Sequence, residues 1–178
     1  AIDDEIISAA FGTAYTGETG STSTTFPAGQ VVSVGSPVAG LSIAKLVEAK
    51  QLLDEANVDT TLPRYVAVAP EQLADLLNIT TVTSSDYNTV KALVQGEIDT
   101  FLGFKFIVST RLSSESGTNR RVIAWAEDGL LLSIGKDITA KIDERADKGY
   151  ATQVYYAMSI GATRMEEEKV VEIKCRED

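Results

Sequence analysis

Residues 128–165 read DGLLLSIGKDITAKIDERADKGYATQVYYAMSIGATRM. Asp128-Gly129 marks a turn at the start. In ITAKIDE, Ile138, Ala140 and Ile142 alternate with Thr139, Lys141 and Asp143. The alternation lasts longer in YATQVYYAMSIGATRM, where Val154, Tyr156, Met158, Ile160 and Ala162 face Gln153, Tyr155, Ala157, Ser159 and Thr163. A period of two puts successive side chains on opposite sides of a strand. The stretch is expected to form long antiparallel strands, Ile138–Glu144 and Ala151–Arg164, with one wetter face and one buried face that holds Tyr156.

Upstream, the period changes. SIAKLVEAKQLLDEANV reads as an amphipathic helix, with Leu46, Ala49, Leu53 and Ala56 in one stripe and Ser42 as its N-cap. Arg64–Ala69 is an apolar, β-rich run and reads as a buried strand. Pro70 suits a first helical turn, and Leu73, Leu76 and Leu77 carry a second helix to about Asn78. Ser84 or Ser85 caps a third helix with Tyr87, Val90, Leu93 and Val94 on one face and Gly96 near its end. Phe104–Thr110 and Arg121–Glu127 read as strands, and VVEIKC is a final short one.

Ala1–Phe11 reads as the end of a helix stopped by Gly12. No cap and no initiator Met precede it, which suggests a fragment or a product trimmed at its front. Thr13–Gly40 is rich in Gly, Ser, Thr and Pro and reads as a long loop or a weak β-excursion, with a short strand at Gln30–Val34. Residues 13–27 are expected to be poorly ordered in an isolated subunit. The plan is α+β in two lobes, a mixed core followed by an extended β arm.

Composition excludes several classes of function. The chain has 178 residues, 44% apolar and 24% charged, which is globular and not disordered. Histidine is absent and Cys175 is the one cysteine. No Ser-His-Asp triad, Cys-His pair, histidine zinc site or internal disulfide can be built. With 26 acidic and 16 basic residues, the net charge of −10 is the wrong sign for a sequence-independent nucleic-acid binder. No apolar run approaches a membrane span, and AIDDEIISAA lacks the apolar core of a signal peptide.

The residues that hint at chemistry each have a plainer reading. Gly12-Thr-Ala-Tyr-Thr-Gly17-Glu18-Thr19 keeps the spacing of a phosphate loop, but Glu18 stands where a phosphate-reaching lysine is needed, so it reads as a flexible loop. Cys175 has no activating histidine and reads as a small passive side chain. Asp3-Asp4-Glu5 and Glu166-Glu167-Glu168 lack the ligand spacing of a calcium loop and read as solvated faces. Asn78-Ile79-Thr80 is a formal glycosylation sequon that also reads as a helix end. Trp125, Tyr155, Tyr156 and Phe104 read as core or subunit contact rather than as a ligand platform. A cofactor is not expected. Arg111, Arg120 and Arg121 flank one exposed loop, and Asp143, Glu144, Arg145, Asp147 and Lys148 crowd another. Both signs on loop tips suit polar contacts between identical copies. Arg111, Arg120, Arg121, Asp143, Arg145, Asp147 and Lys148 are the candidate interface residues.

The order of these features resembles a known family. SDYNTVKALVQGEIDTFLGFKFIVSTRL (85–112), followed by residues 120–175, is similar to the C-terminal two-thirds of a tailed-phage major capsid protein. DDEIISAAFGTAYTG (3–17) resembles the end of that family's spine helix. The resemblance implies the Hong Kong 97-type capsid fold. On it, 1–40 would be the spine-helix end and the long loop, and 41–135 the axial domain. Residues 136–167 would be peripheral-domain strands, and 168–178 a strand returning to the axial domain.

The resemblance also implies a function: a virion shell subunit without enzymatic activity or cofactor. It would assemble in the host cytoplasm into hexamers and pentamers of an icosahedral particle. Its partners would be copies of itself, with scaffolding and portal proteins as further candidates and no membrane. Double-stranded DNA would be enclosed but not bound by sequence. The family's N-terminal arm, extended loop and most of the spine helix have no counterpart in this sequence, and no inter-subunit Lys–Asn cross-link is assigned. Two rival readings remain at this stage: an encapsulin-like compartment shell, and a small acidic hydrolase using a carboxylate pair.

Overall fold

A computed structural model describes residues 2–34, 39–78, 100–115 and 117–177. The expected third helix, Ser84 to Gly96, lies outside the described residues. Helix α1 spans Ile2–Phe11. Gly12 closes it, its N–H donating to the Ser8 carbonyl at 2.9 Å. A Cβ at Gly12 would lie 2.8 Å from that carbonyl oxygen, so a side chain would force the turn open.

Past α1, the Gly/Ser/Thr stretch folds back on itself. Strand β1 (Ala14–Thr16) pairs antiparallel with β2 (Thr22–Thr24). Gly17 and Gly20 supply left-handed φ values of 89° and 64° in the turn between them. A short 3-10 turn at Ala28–Gln30 leads into β3, Val31–Val32.

Helix α2 spans Ile43–Glu55, and the Ser42 hydroxyl accepts from the Lys45 N–H as expected of an N-cap. Strand β4 is Arg64–Val68, and α3, Pro70–Leu77, starts with its proline in the first turn. Strands β5 (Thr100–Phe101) and β6 (Phe104–Val108) form a tight hairpin. Its turn, Leu102-Gly103, has both φ values positive, 54° and 86°. That geometry matches the right-handed twist of the flanking strands. Strand β7 (Ser114–Glu115) and β8 (Asn119–Ala126) precede the two long strands, β9 (Leu130–Arg145) and β10 (Ala151–Arg164). The last strand is β11, Val170–Arg176.

The core is a mixed sheet in the order β3-β11-β8-β4-β6-β5, with β7 paired to β8. β4 and β6 run parallel, whereas β8 is antiparallel to both β4 and β11. Val66, Ala124 and Val171 are cross-strand partners on one face, and Val122 and Ile173 continue it. These five are at most a few per cent exposed and pack in one cluster with Leu46, Ala49 and Leu53 of α2, Leu76 of α3 and Phe104. Ala67, Ile123 and Val170 are buried as well, which fits the reading of Arg64–Ala69 as a buried strand.

α2 also buries a charge. Lys45 is fully buried. Its ammonium donates to the Ala39 carbonyl at 2.5 Å and to the Lys174 carbonyl at 2.7 Å. Burial pushes its pKa below the usual lysine range. It thereby ties α2 to β11 and to the segment that leads into α2. The Asp75 carboxylate of α3 accepts from the Leu41 N–H at 3.0 Å and holds the same segment from the other side.

Strands β9 and β10 are not part of this sheet. They form a separate antiparallel ribbon.

Candidate functional site

The ribbon is the feature that sets this chain apart from an ordinary sheet-and-helix unit. At ~3.4 Å per residue, its 14- and 16-residue strands make a ladder of about 50 Å. Register is regular from Ala151↔Arg145 to Ala157↔Thr139. It then slips between Ala157 and Ile160, and β9 carries the extra residues. Such bulges increase twist and bend the strand that holds them. The expected boundary between residues 135 and 136 falls at this irregularity, inside one continuous β9.

Directly paired residues share a face. Val154 pairs with Ile142, and Tyr156 pairs with Ala140. Tyr155 pairs with Lys141, and Gln153 with Asp143, on the opposite face. One side of the outer ribbon is thus apolar and the other polar, as the sequence pattern predicts.

The expectation that Tyr156 is buried is corrected. Tyr156 is 60% exposed, Val154 69% and Ile142 71%. The cause is one of length. Helix α1 packs against β9 and β10, but its ten residues reach only about 15 Å. It covers the base of the ribbon, where Ile160 and Ala162 are half-buried and Arg164 is buried, and leaves the outer part bare.

Arg164 fixes the ribbon to the core. Its guanidinium donates to the Ala10 carbonyl at 3.0 Å, the Gly12 carbonyl at 2.9 Å and the Thr24 carbonyl at 3.4 Å. It also lies 5.2 Å from the Phe26 ring. A cation at the C-terminal end of α1 meets carbonyls that have no partner within the helix.

At the far end, Gly149 and Tyr150 both adopt left-handed φ values, 64° and 62°. Tyr150 is 72% exposed. The Arg145 guanidinium pairs with the Asp147 carboxylate, which holds that carboxyl below the usual range. Asp143 and Lys148 stand exposed beside them.

The remaining candidate residues are dispersed. Arg111 donates to both carboxylate oxygens of Asp4, at 3.0 and 2.8 Å, at an exposed position. Arg120 and Arg121 are adjacent in sequence but project to opposite faces of β8. Arg120 binds the Glu177 carboxylate through two bonds of 2.7 Å and donates to the Leu112 carbonyl at 2.7 Å. Arg121 binds buried Glu172 at 2.6 and 3.0 Å, with its guanidinium 4.0 Å from the Phe11 ring. Both are engaged inside the subunit.

The other sequence features settle into structural places. Gly17 of the loop with phosphate-loop spacing turns a two-stranded hairpin, with no helix after it. Burial pushes the Cys175 thiol up to about 12, against the weaker opposing pull of the Lys45 ammonium. Among the described residues, no group of three or more His, Cys, Asp or Glu side chains is placed to hold a metal ion. Nor is any helix among them long and apolar enough to cross a membrane. The four aromatics are not brought together: Phe104 is in the core, Trp125 stacks on Tyr65 at 5.6 Å, and Tyr155 and Tyr156 lie out on the ribbon. Asn78 caps the end of α3, its N–H donating to the Ala74 carbonyl.

A family model described as phage capsid protein matches residues 1–177. The chain belongs to the phage capsid protein family. Curated proteins give no match. Solved structures do. The capsid of cyanophage Pam1 is 12% identical with a TM-score of 0.68, covering 98% of this chain and 64% of that one. The capsid of cyanophage P-SCSP1u is 17% identical with a TM-score of 0.65, covering 98% and 60%. A chain of Mycobacterium phage Che8 is 19% identical with a TM-score of 0.62, covering 96% and 55%.

The phage capsid chain accordingly spans about 55–64% of the length of these relatives. At such identities the likeness is one of fold, and the α+β capsid fold implied by the sequence is the fold observed. Family membership makes it a structural protein and favours neither the hydrolase nor the compartment reading.

Proposed function

We propose that this phage capsid chain is a shell subunit that self-assembles into hexamers and pentamers of an icosahedral particle enclosing double-stranded DNA. The observation that carries the reading is the family match over residues 1–177. The geometry supports it through the outer ribbon, which exposes Ile142, Val154 and Tyr156 on one face. Contiguous exposed apolar side chains mark contact surfaces. Each such side chain contributes about 1.5–3 kcal/mol when fully buried, so a neighbouring copy seated on the ribbon gains several kcal/mol. Modest contacts of that size, repeated with many neighbours, add through effective concentration into a stable closed shell.

In this role the core unit, 41–135, is the axial domain. Residues 136–167, which hold the outer ribbon, are the peripheral domain, with 1–40 as the spine-helix end and its loop and 168–178 as the returning strand. Exposed Arg111, Asp143, Arg145, Asp147 and Lys148 serve as polar contacts at the rims between copies, while Arg120 and Arg121 hold the subunit itself together. The shell carries out no reaction and takes no cofactor. Its net charge of −10 keeps packaged DNA from adhering to the wall, because phosphate repels carboxylate. Assembly takes place in the host cytoplasm, with scaffolding and portal proteins as partners, and the product is the virion capsid.

Electron microscopy of the full-length gene product tests the reading. Closed icosahedral particles are the expected result. A protein that stays monomeric at high concentration, with no particle in any preparation, sinks it.

A further inference from the structure

The two long edges of the ribbon differ in chemistry. β9 carries Lys136, Asp137, Lys141, Asp143, Glu144 and Arg145, and the ladder irregularities place their extra residues on it. Charges and bulges are the devices by which edge strands resist pairing with another chain. β10 has neither. From Ala151 to Thr163 it holds no charged residue and no proline, and Val154, Tyr155 and Tyr156 are strong strand formers. Among the described residues its one strand neighbour is β9. From Ala151 to Tyr156 every residue is exposed, beyond the reach of α1. An unblunted edge of this kind is a ready template for strand addition.

We infer that the outer edge of β10 is a two-fold contact, pairing antiparallel with the β10 edge of a second copy, centred near Tyr155. The inference rests on the reading that copies of this chain self-assemble.

A second copy fits better than a foreign strand because β10 is complementary to itself. An uncharged strand can face its own copy without opposing like charges, whereas β9 paired to itself about Lys141 would set lysine against lysine. Antiparallel pairing centred on Tyr155 sets Val154 against Tyr156 and Gln153 against Ala157, on both sides of the axis. Aromatic against β-branched is a favourable cross-strand pair. The same register aligns the two apolar faces, so that Ile142, Val154 and Tyr156 of each copy form one surface on a four-stranded sheet. A two-stranded ribbon is marginal by itself, and doubling it removes that weakness. A contact in which the same patch meets itself is the isologous type that two-fold axes require. Nine paired residues span about 30 Å, too little for a stand-alone dimer of ~800 Å² per partner, which suits one contact among several in a shell.

The test uses full-length protein carrying Tyr155→Cys, Lys141→Cys, or a mixture of Gln153→Cys and Ala157→Cys copies, oxidised gently after assembly. The native Cys175 is buried and does not interfere. Residues opposed across antiparallel strands lie within disulfide range, Cα–Cα about 4.4–6.8 Å. Tyr155→Cys is expected to give a covalent dimer on a non-reducing gel. The mixture is expected to give a hetero-dimer, and Lys141→Cys none. Tyr155→Lys, which apposes two charges at the axis, is expected to lower particle yield while leaving the circular dichroism of the subunit unchanged. Particles without a cross-link from any β10 cysteine overturn the inference and leave the shell reading standing, as does equal cross-linking through Lys141→Cys. Absence of particles and of dimers overturns both.

Discussion

The guanidinium of Arg164 reaches the carbonyl of Ala10 at 3.0 Å, across 154 positions of sequence. That bond and its companions to Gly12 and Thr24 join the ribbon, the end of α1 and the β1–β2 hairpin at one point. The side chain is fully buried, with Glu167 4.0 Å away as a distant counter-charge. Replacing Arg164 by Ala leaves these carbonyls without donors in a dry site, and the cost is expected to be about 3 kcal/mol. Arg164→Lys should recover only part of it, because one ammonium cannot span the fork that a planar guanidinium fills. Urea titration followed by far-ultraviolet circular dichroism measures both. A midpoint unchanged by Arg164→Ala would show that the ribbon is not anchored there.

Neither Arg164 nor Lys45 was visible as a structural group in the sequence. Arg and Lys are by default surface residues, and these two are held by carbonyls of residues 10, 12, 24, 39 and 174, all but residue 39 more than a hundred positions away. The ribbon was legible because period-two alternation is local, and the faces of Val154 and Gln153 came out as the pattern requires. Whether anything covers the apolar face is a tertiary question. Alternation separates two faces but does not say that α1 is too short to reach Tyr156. Arg120 and Arg121 flank one loop in the sequence, but neighbours in a strand lie on opposite faces, and each meets a different carboxylate of its own subunit.

The Cys175 thiol gives the subunit a pH signature. Its pKa is raised from the ordinary 9.0 to about 12 by burial. Above pH 9 the unfolded chain releases this proton and the native state keeps it, so stability falls as pH rises from about 9 towards 12. At pH 10.5 the loss attributable to this group is about 2 kcal/mol. Lys45 works in the opposite sense, since its lowered pKa makes the unfolded state the better proton binder and stability rises with pH in the alkaline range. Comparing Cys175→Ala with the parent isolates the thiol. The variant should be less stable at pH 7, and the difference should shrink by about 2 kcal/mol at pH 10.5. Parallel pH profiles for the two proteins would show that the thiol ionises freely in the native state.

Glu177 holds the C-terminal end against β8 and α3. It accepts from Arg120 through both carboxylate oxygens, and from Gln72 Nε2 at 3.2 Å. The Arg120 guanidinium is the main cause of its lowered pKa. A depressed carboxyl stabilises the native state above its unfolded pKa, and that contribution disappears as pH falls through the folded value. Glu177→Gln is therefore expected to cost about 1 kcal/mol at pH 7 and very little at pH 3, a shift of roughly 2–4 °C in melting temperature at neutral pH. Calorimetry at the two pH values decides it, and an equal shift at both would mean that the charge of Glu177 is irrelevant.

Tyr156→Asp separates subunit from shell. In a dispersed subunit Tyr156 is 60% exposed, so a carboxylate there stays hydrated and the change in stability should remain within about 1 kcal/mol. In a shell whose copies close over the ribbon, the same carboxylate is desolvated next to Ala140, Val154 and Ile142, at a cost of several kcal/mol per copy unless it takes up a proton. The variant should thus melt like the parent as a subunit and fail to form particles near neutral pH. Lowering the pH towards 4 should restore assembly in part, because protonation removes the charge before the surface is buried. The polar-face control Gln153→Asp should assemble better than Tyr156→Asp under every condition. Melting curves of the subunit and particle counts by electron microscopy, taken on the same preparations, supply both halves. A destabilised subunit would mean that the face is covered within one copy, and normal particles at neutral pH would mean that no neighbour covers it.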